Sequence, residues 1–148
     1  MAFQIRRVVT AHDAHGKALV GMDSSIESTP GRIDKNISAV DVWWTHCVPV
    51  AVERDDASVE TSPGMPTPAG TLLKILEIAP GTQPLMHKTD TLDYAIVMEG
   101  AIDMLLEDGC EVRLKAGDVL IQRGTVHGWA NRGGEPCRIA FFLVAAVR

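Results

Sequence analysis

The stretch Gly81-Thr82-Gln83-Pro84-Leu85-Met86-His87-Lys88-Thr89-Asp90-Thr91-Leu92-Asp93-Tyr94 decides how the rest of the chain is read. It opens on a Pro80-Gly81 turn, runs through a histidine and enters an extended apolar segment that carries a carboxylate. In a strand, residues two apart share a face. Within residues 92–98 one face therefore carries Asp93, Ala95 and Val97, and the other Tyr94, Ile96 and Met98. Both faces are largely apolar, which predicts a strand covered on both sides. An ionised carboxylate buried there must pair, bind a metal or take up a proton. His87 shares its parity with Thr89, Thr91 and Asp93. A second stretch, Thr125-Val126-His127-Gly128-Trp129-Ala130-Asn131, places His127 and Trp129 on one face. His87, Asp93 and His127 form the constellation that looks like chemistry.

Outward from these stretches, Pro and Gly punctuate short segments rich in Val, Ile, Leu and Thr, which is how strands read. Extended runs are predicted over residues 3–10 and 17–22, joined by the turn Asp13-Ala14-His15-Gly16, and over 38–47 after a polar stretch at 23–36. Residues 49–70 form the longest loop, because Ser62-Pro63-Gly64-Met65-Pro66-Thr67-Pro68 lacks the amide donors a ladder needs. It reads as a solvated excursion in preference to a lid. Strands follow at 71–78, 92–98, 102–107, 111–114, 119–122, 126–130 and 138–145, with Asp108-Gly109 as a hairpin turn. Met98, Met104 and Leu106 are core candidates. Short strands at this spacing make an all-β sandwich or barrel.

The chain has 148 residues, 46% of them hydrophobic, and a formal net charge of -5. A compact fold of this length buries roughly 68–70% of its unfolded surface, enough for one domain with a core and a pocket. Without a basic run there is nothing to pair with a phosphate backbone, so nucleic acid and anionic membranes are not expected partners. Cys47, Cys110 and Cys137 are widely separated and include no C-x-x-C pair, which reads as reduced thiols. With neither a long apolar segment near the N-terminus nor a run of ~20 apolar residues, the expectation is a cytoplasmic protein.

The two stretches resemble the motifs of the cupins, small jelly-roll β-barrels. The first cupin motif runs Gly, five residues, His-x-His, three or four residues, Glu, six residues, Gly. Gly81, His87, Asp93 and Gly100 fall at those places, with Thr89 where the family has its second His and Asp93 where it has Glu. Gly117, Gly124, His127 and Asn131 match the second motif, with Gln122 in place of its proline and the first gap one residue short. The resemblance covers residues 70–146. It implies an all-β double-stranded β-helix over 70–148, with residues 1–69 supplying extra N-terminal strands and the long loop of the same fold. The pattern is similar to single-domain cupins of catabolic and secondary-metabolite pathways.

In typical cupins these positions hold Fe, Mn, Ni or Zn. Carried over, the resemblance leaves His87, Asp93 and His127 as metal ligands and Thr89 as a weak fourth oxygen. Two His and one carboxylate can form a facial triad, yet the set is one imidazole short. The cofactor expectation is therefore none or one such divalent metal, with the departures weighing toward none. Without metal, a carboxylate raises an imidazole pKa, which suits His87 and His127 to acid–base work with Asp93 orienting them; a cluster that only satisfies itself is the alternative. Thr89 and Gln122 are expected to place the substrate and Trp129 to line the pocket. Arg123 either recognises a carboxylate at the rim or is a solvated turn residue. His12 and His15 are expected on the surface, and His46 at a strand end in a structural role.

These readings favour an enzyme performing a lyase, decarboxylase, dehydratase or isomerase step on a small organic acid. A metal-dependent oxygenase and a non-catalytic carrier are the alternatives. The N-terminal runs resemble strands with which single-domain cupins pair, so a homodimer is expected.

Overall fold

The alternating segments pair as antiparallel strands in the computed structural model, which describes residues 2–52 and 61–147. The strands are β1 (Gln4–His12), β2 (Ala18–Glu27), β3 (Thr29–Pro30), β4 (Ile37–Thr45), β5 (Thr71–Ile78), β6 (Thr91–Glu99), β7 (Ala101–Leu105), β8 (Glu111–Lys115), β9 (Val119–Arg123), β10 (Gly128–Ala130) and β11 (Cys137–Ala145). A six-stranded sheet has the order β3-β4-β5-β11-β6-β9, a three-stranded sheet the order β10-β7-β8, and β1 and β2 make a hairpin. This is the double-stranded β-helix that the motifs imply. Among the described residues no helix is long and apolar enough to cross a membrane.

Alternation decides what lies between the sheets. Leu72 and Ile78 of β5, Ala95 and Val97 of β6, Ile102 and Met104 of β7, and Ile139, Phe141 and Leu143 of β11 meet in the main core. Leu72, Ile78, Ile102 and Ile139 are fully buried, each contributing about 1.5–3 kcal/mol relative to exposure. Asp108 and Gly109 both take positive φ, 55° and 73°, in the turn that joins β7 to β8. Gly100, at φ 73°, allows the β6–β7 turn, and a Cβ there would stand 2.5 Å from the carbonyl oxygen of Pro136.

A second apolar cluster lies on the outer side of the large sheet. Phe3 of the N-terminal segment joins Val40, Val42 and Ile75, with Ile5 and Ile26 of the hairpin packed alongside. The Phe3 and Ser28 backbones bond at 2.8 Å, and the Arg138 guanidinium sits 4.8 Å above the Phe3 ring. The hairpin thus covers the β4–β5 half of the outer face. β2 runs on to Glu27, into the stretch read as polar, because Met22, Ser24 and Ile26 alternate with exposed residues.

Among the described residues, none covers the other half of that face. Tyr94, Ile96 and Met98 of β6, Val119 and Ile121 of β9, and Phe142 of β11 are all exposed. The parity assigned to β6 is correct, but the expectation that both its faces are covered is not. Met98, taken as a core candidate, lies on the exposed side, whereas Met104 is buried.

Candidate functional site

The first motif histidine lies outside any long strand, and its partner holds it in place. His87 donates its backbone N–H to the carbonyl of His127 at 2.8 Å, and His127 returns the bond at 2.9 Å. Residues that exchange both bonds in an antiparallel bridge stand directly opposite each other, and the two imidazoles have ring centroids 4.4 Å apart. The same pairing continues to the motif ends: Gly81 N–H donates to Asn131 O at 2.8 Å, and Asn131 N–H to Thr82 O at 3.2 Å. Gly128 permits the close approach, since a Cβ there would lie 2.9 Å from Met86 Sδ and 3.1 Å from Pro84 Cβ.

Asn131 is fully buried and fastens this pairing. Its amide donates to the carbonyls of Ile78 and Glu135, both at 2.9 Å, and its Oδ1 accepts from Gly133 N–H at 2.9 Å. All of its contacts are to backbone, so it supports the strand ends.

His87 and His127 open onto a cavity of about 440 Å³. Thr89, Asp93 and Trp129 share its wall with Leu76, Ile78, Phe141 and Leu143. Trp129 meets His127 edge-on at 5.9 Å and Phe141 at 5.7 Å. Small-molecule sites have this character: mostly apolar, with a few convergent polar groups.

Two expected substrate contacts lie elsewhere. Gln122 is buried behind His127 and does not line the cavity: its Nε2 lies 2.7 Å from His127 Nδ1 and 3.1 Å from Thr125 O, and its Oε1 accepts the Gly124 N–H. Gln122 stands opposite Asp93 in the β6–β9 ladder, but its side chain is engaged by the turn that follows β9. Arg123 points the other way, as strand alternation requires, and lies exposed at a separate shallow cleft with Asp90, Leu92 and Val147. His12, His15 and His46 are exposed.

Asp93 is buried, and its Oδ1 has no hydrogen-bond partner. Burial pushes its pKa up, against the opposing pull of the Thr91 hydroxyl and the His127 and His87 charges. Burial likewise pushes the His127 pKa down; the Thr125 carbonyl opposes this, His87 adds to it, and Asp93 opposes it. The expectation that a nearby carboxylate raises this imidazole's pKa is therefore corrected: desolvation outweighs the Asp93 charge.

The family's metal does not fit this donor set. Among the described residues no three His, Cys, Asp or Glu side chains are grouped so as to hold a metal ion. At the place of the missing imidazole, the Thr89 hydroxyl accepts a hydrogen bond from Thr91 at 3.0 Å.

Motif reading missed part of the wall. Residues of the turn between β3 and β4, among them Arg32, Ile33 and Asp34, line the cavity, as do Lys74 and Met65. Lys74 is held by Asp41 at 3.2 Å and by the Gly64 carbonyl at 2.8 Å, and Ser62 also bonds Asp41. These contacts tie the described end of the 49–70 loop beside the cavity; residues 53–60, on which much of the lid question falls, lie outside the described residues. Alternation could have flagged Lys74, which shares its face with Leu72, Leu76 and Ile78.

Fold and site together define a β-barrel with a largely apolar cavity, and the comparisons give its family. Residues 74–144 match the cupin domain family Cupin_2. The cupin-domain-containing oxidoreductase virC of Hypocrea virens is 30% identical over 93% of this chain and 74% of its own length. The phomopsin biosynthesis cluster protein C' of Diaporthe leptostromiformis is 46% identical over 50% of this chain and 39% of its own length. A cupin 2 conserved barrel domain protein from Salinispora arenicola superposes with a TM-score of 0.52 and 21% identity, covering 78% of this chain and 81% of that one. The chain belongs to the cupin family. It spans about two fifths of the phomopsin-cluster relative's length.

Proposed function

We propose that this chain is an enzyme that carries out an acid–base step, of lyase, decarboxylase, dehydratase or isomerase type, on a small organic acid with a largely apolar body. The observation that carries the reading is the His87–His127 pair, 4.4 Å apart in an otherwise mostly apolar cavity with buried Asp93 beside it. Such a site suits removal of a proton from carbon next to a carbonyl: an imidazole takes the proton, the C–H pair forms a C=C bond, and the carbonyl π pair moves to oxygen. Return of the proton at another carbon gives an isomer, and loss of a β-substituent gives an eliminated product. The unpartnered Asp93 Oδ1 calls for a polar group on the ligand, because buried polar atoms are rarely left unpaired. Arg32 on the cavity wall supplies positive charge for a carboxylate, whereas the Lys74 charge is already paired with Asp41.

The test is a screen of hydroxy acids and keto acids followed by NMR for both binding and conversion. Conversion supports the reading; a molecule that binds and is returned unchanged supports a carrier. A redox reaction is the second reading, favoured by relatives named as oxidoreductases, virC among them. Since the donor set does not fit a resident metal, that reading needs an added oxidant, and turnover only in its presence would support it.

A further inference from the structure

Gln122 carries information that the cavity wall does not. Its Oε1 accepts the backbone N–H of Gly124, and its Nε2 faces the carbonyl of Thr125 at 3.1 Å. A flipped amide would set NH₂ against N–H and oxygen against oxygen, so these two backbone groups fix the amide's orientation. The nitrogen that meets His127 Nδ1 at 2.7 Å is therefore a donor, and a donor at that distance requires a lone pair on Nδ1. A proton on Nδ1 could reach Thr125 O at 3.0 Å, but only by bringing N–H against the Gln122 amide.

The other ring is fixed the opposite way. His87 Nδ1 lies 2.9 Å from the carbonyl oxygen of Leu85. A carbonyl oxygen only accepts, so His87 Nδ1 carries the proton and its Nε2 the lone pair.

We infer that Gln122 is a positioning residue that holds His127 as the Nε2–H tautomer, so that the paired imidazoles have opposite roles: His87 Nε2 is the base and His127 Nε2–H is a fixed hydrogen-bond donor. This rests on the proposed acid–base reading and deepens it. In the enolisation step His87 Nε2 takes the carbon-bound proton, and the developing oxyanion is met by His127 Nε2–H, which keeps its proton, as a neutral imidazole does when it acts as an electrophile. The ligand class is correspondingly a carbonyl compound with an acidic C–H next to the carbonyl. Gln122 stands where cupins have a motif proline, and proline has no side-chain donor to offer.

The experiment is long-range ¹H–¹⁵N correlation NMR of the histidine rings at a pH of about 8, above the ordinary imidazole pKa. It compares the wild-type protein with Gln122→Met, which removes the donor at similar volume, and Gln122→Glu, which offers Nδ1 an acceptor. In the wild type, His127 is expected protonated on Nε2 by about tenfold or more and His87 on Nδ1. In both variants the His127 proton moves to Nδ1, while His87 is unchanged. A wild-type His127 protonated on Nδ1 overturns the inference, as does a folded Gln122→Met protein whose His127 tautomer is unaltered. The wild-type spectrum suffices if a variant does not fold. Because tautomers are read without turnover, opposite tautomers in a protein that converts nothing would support this inference while the proposed function fails.

Discussion

His87 and His127 exchange both of their backbone hydrogen bonds, at 2.8 and 2.9 Å, across a bridge that lies outside every named strand. The bridge fixes the spacing of two imidazoles that are 40 residues apart in sequence. One of them is exposed and the other buried, so their removal has different consequences. His87→Ala is predicted to lower kcat by about 10²–10⁴ and leave stability within about 0.5 kcal/mol. Steady-state kinetics and urea unfolding on the same protein check this.

A pH effect follows from the two shifted groups. The folded pKa of His127 lies below its ordinary value, so the unfolded state binds the proton first. Stability is then full above about pH 6.5 and is lost as pH falls through the folded pKa. Asp93 acts oppositely: its folded pKa is raised, so its contribution is full below about pH 3.9 and is lost as pH rises through the folded value. Asp93→Asn is accordingly predicted to stabilise the protein near neutrality and to leave the loss below about pH 6.5 in place. Urea midpoints across a pH series give both slopes.

Asn131→Ala is predicted to cost about 2–3 kcal/mol, because it leaves the buried Ile78 carbonyl, the half-buried Glu135 carbonyl and the Gly133 N–H without their partner. Urea unfolding measures this, and a cost below about 0.5 kcal/mol would mean that water replaces all three bonds.

The bare half of the outer face carries a prediction about assembly. Tyr94, Ile96, Met98, Val119, Ile121 and Phe142 form one apolar patch on neighbouring strands, beside the half that the N-terminal hairpin covers. Contiguous exposed apolar surface of this kind marks an interaction site. The homodimer expected from sequence is proposed to bury it. Light scattering at micromolar concentration is expected to give twice the chain mass, and Ile96→Lys with Val119→Lys a monomer. A monomeric wild type would refute this.

Much of the site was legible because motif spacing and strand parity are local properties of the chain. Parity put Asp93 with Ala95 and Val97, and His127 with Trp129, and all five are buried. Parity does not say which face of a strand a neighbour covers, so Tyr94, Ile96 and Met98 were assigned a cover that the structure leaves off. The role of Gln122 was hidden for another reason. It depends on where Thr125 and Gly124 turn their backbone groups, and no spacing rule encodes that. Arg32 and Met65 reach the cavity from segments with no motif, brought there by the pairing of β3 with β4 and by the Lys74–Gly64 and Asp41–Ser62 contacts that hold the loop. The direction of the His127 pKa shift required knowing that burial outweighs a neighbouring charge.

Proton transfer at carbon can be measured before the physiological substrate is known. Keto acids found to bind are incubated with the protein in D₂O and followed by ¹H NMR. Deuterium is expected to enter next to the carbonyl with the wild type, and His87→Ala is expected to lose that exchange without losing binding. Binding with no exchange above the protein-free rate, or exchange that His87→Ala leaves untouched, would overturn the acid–base role of His87.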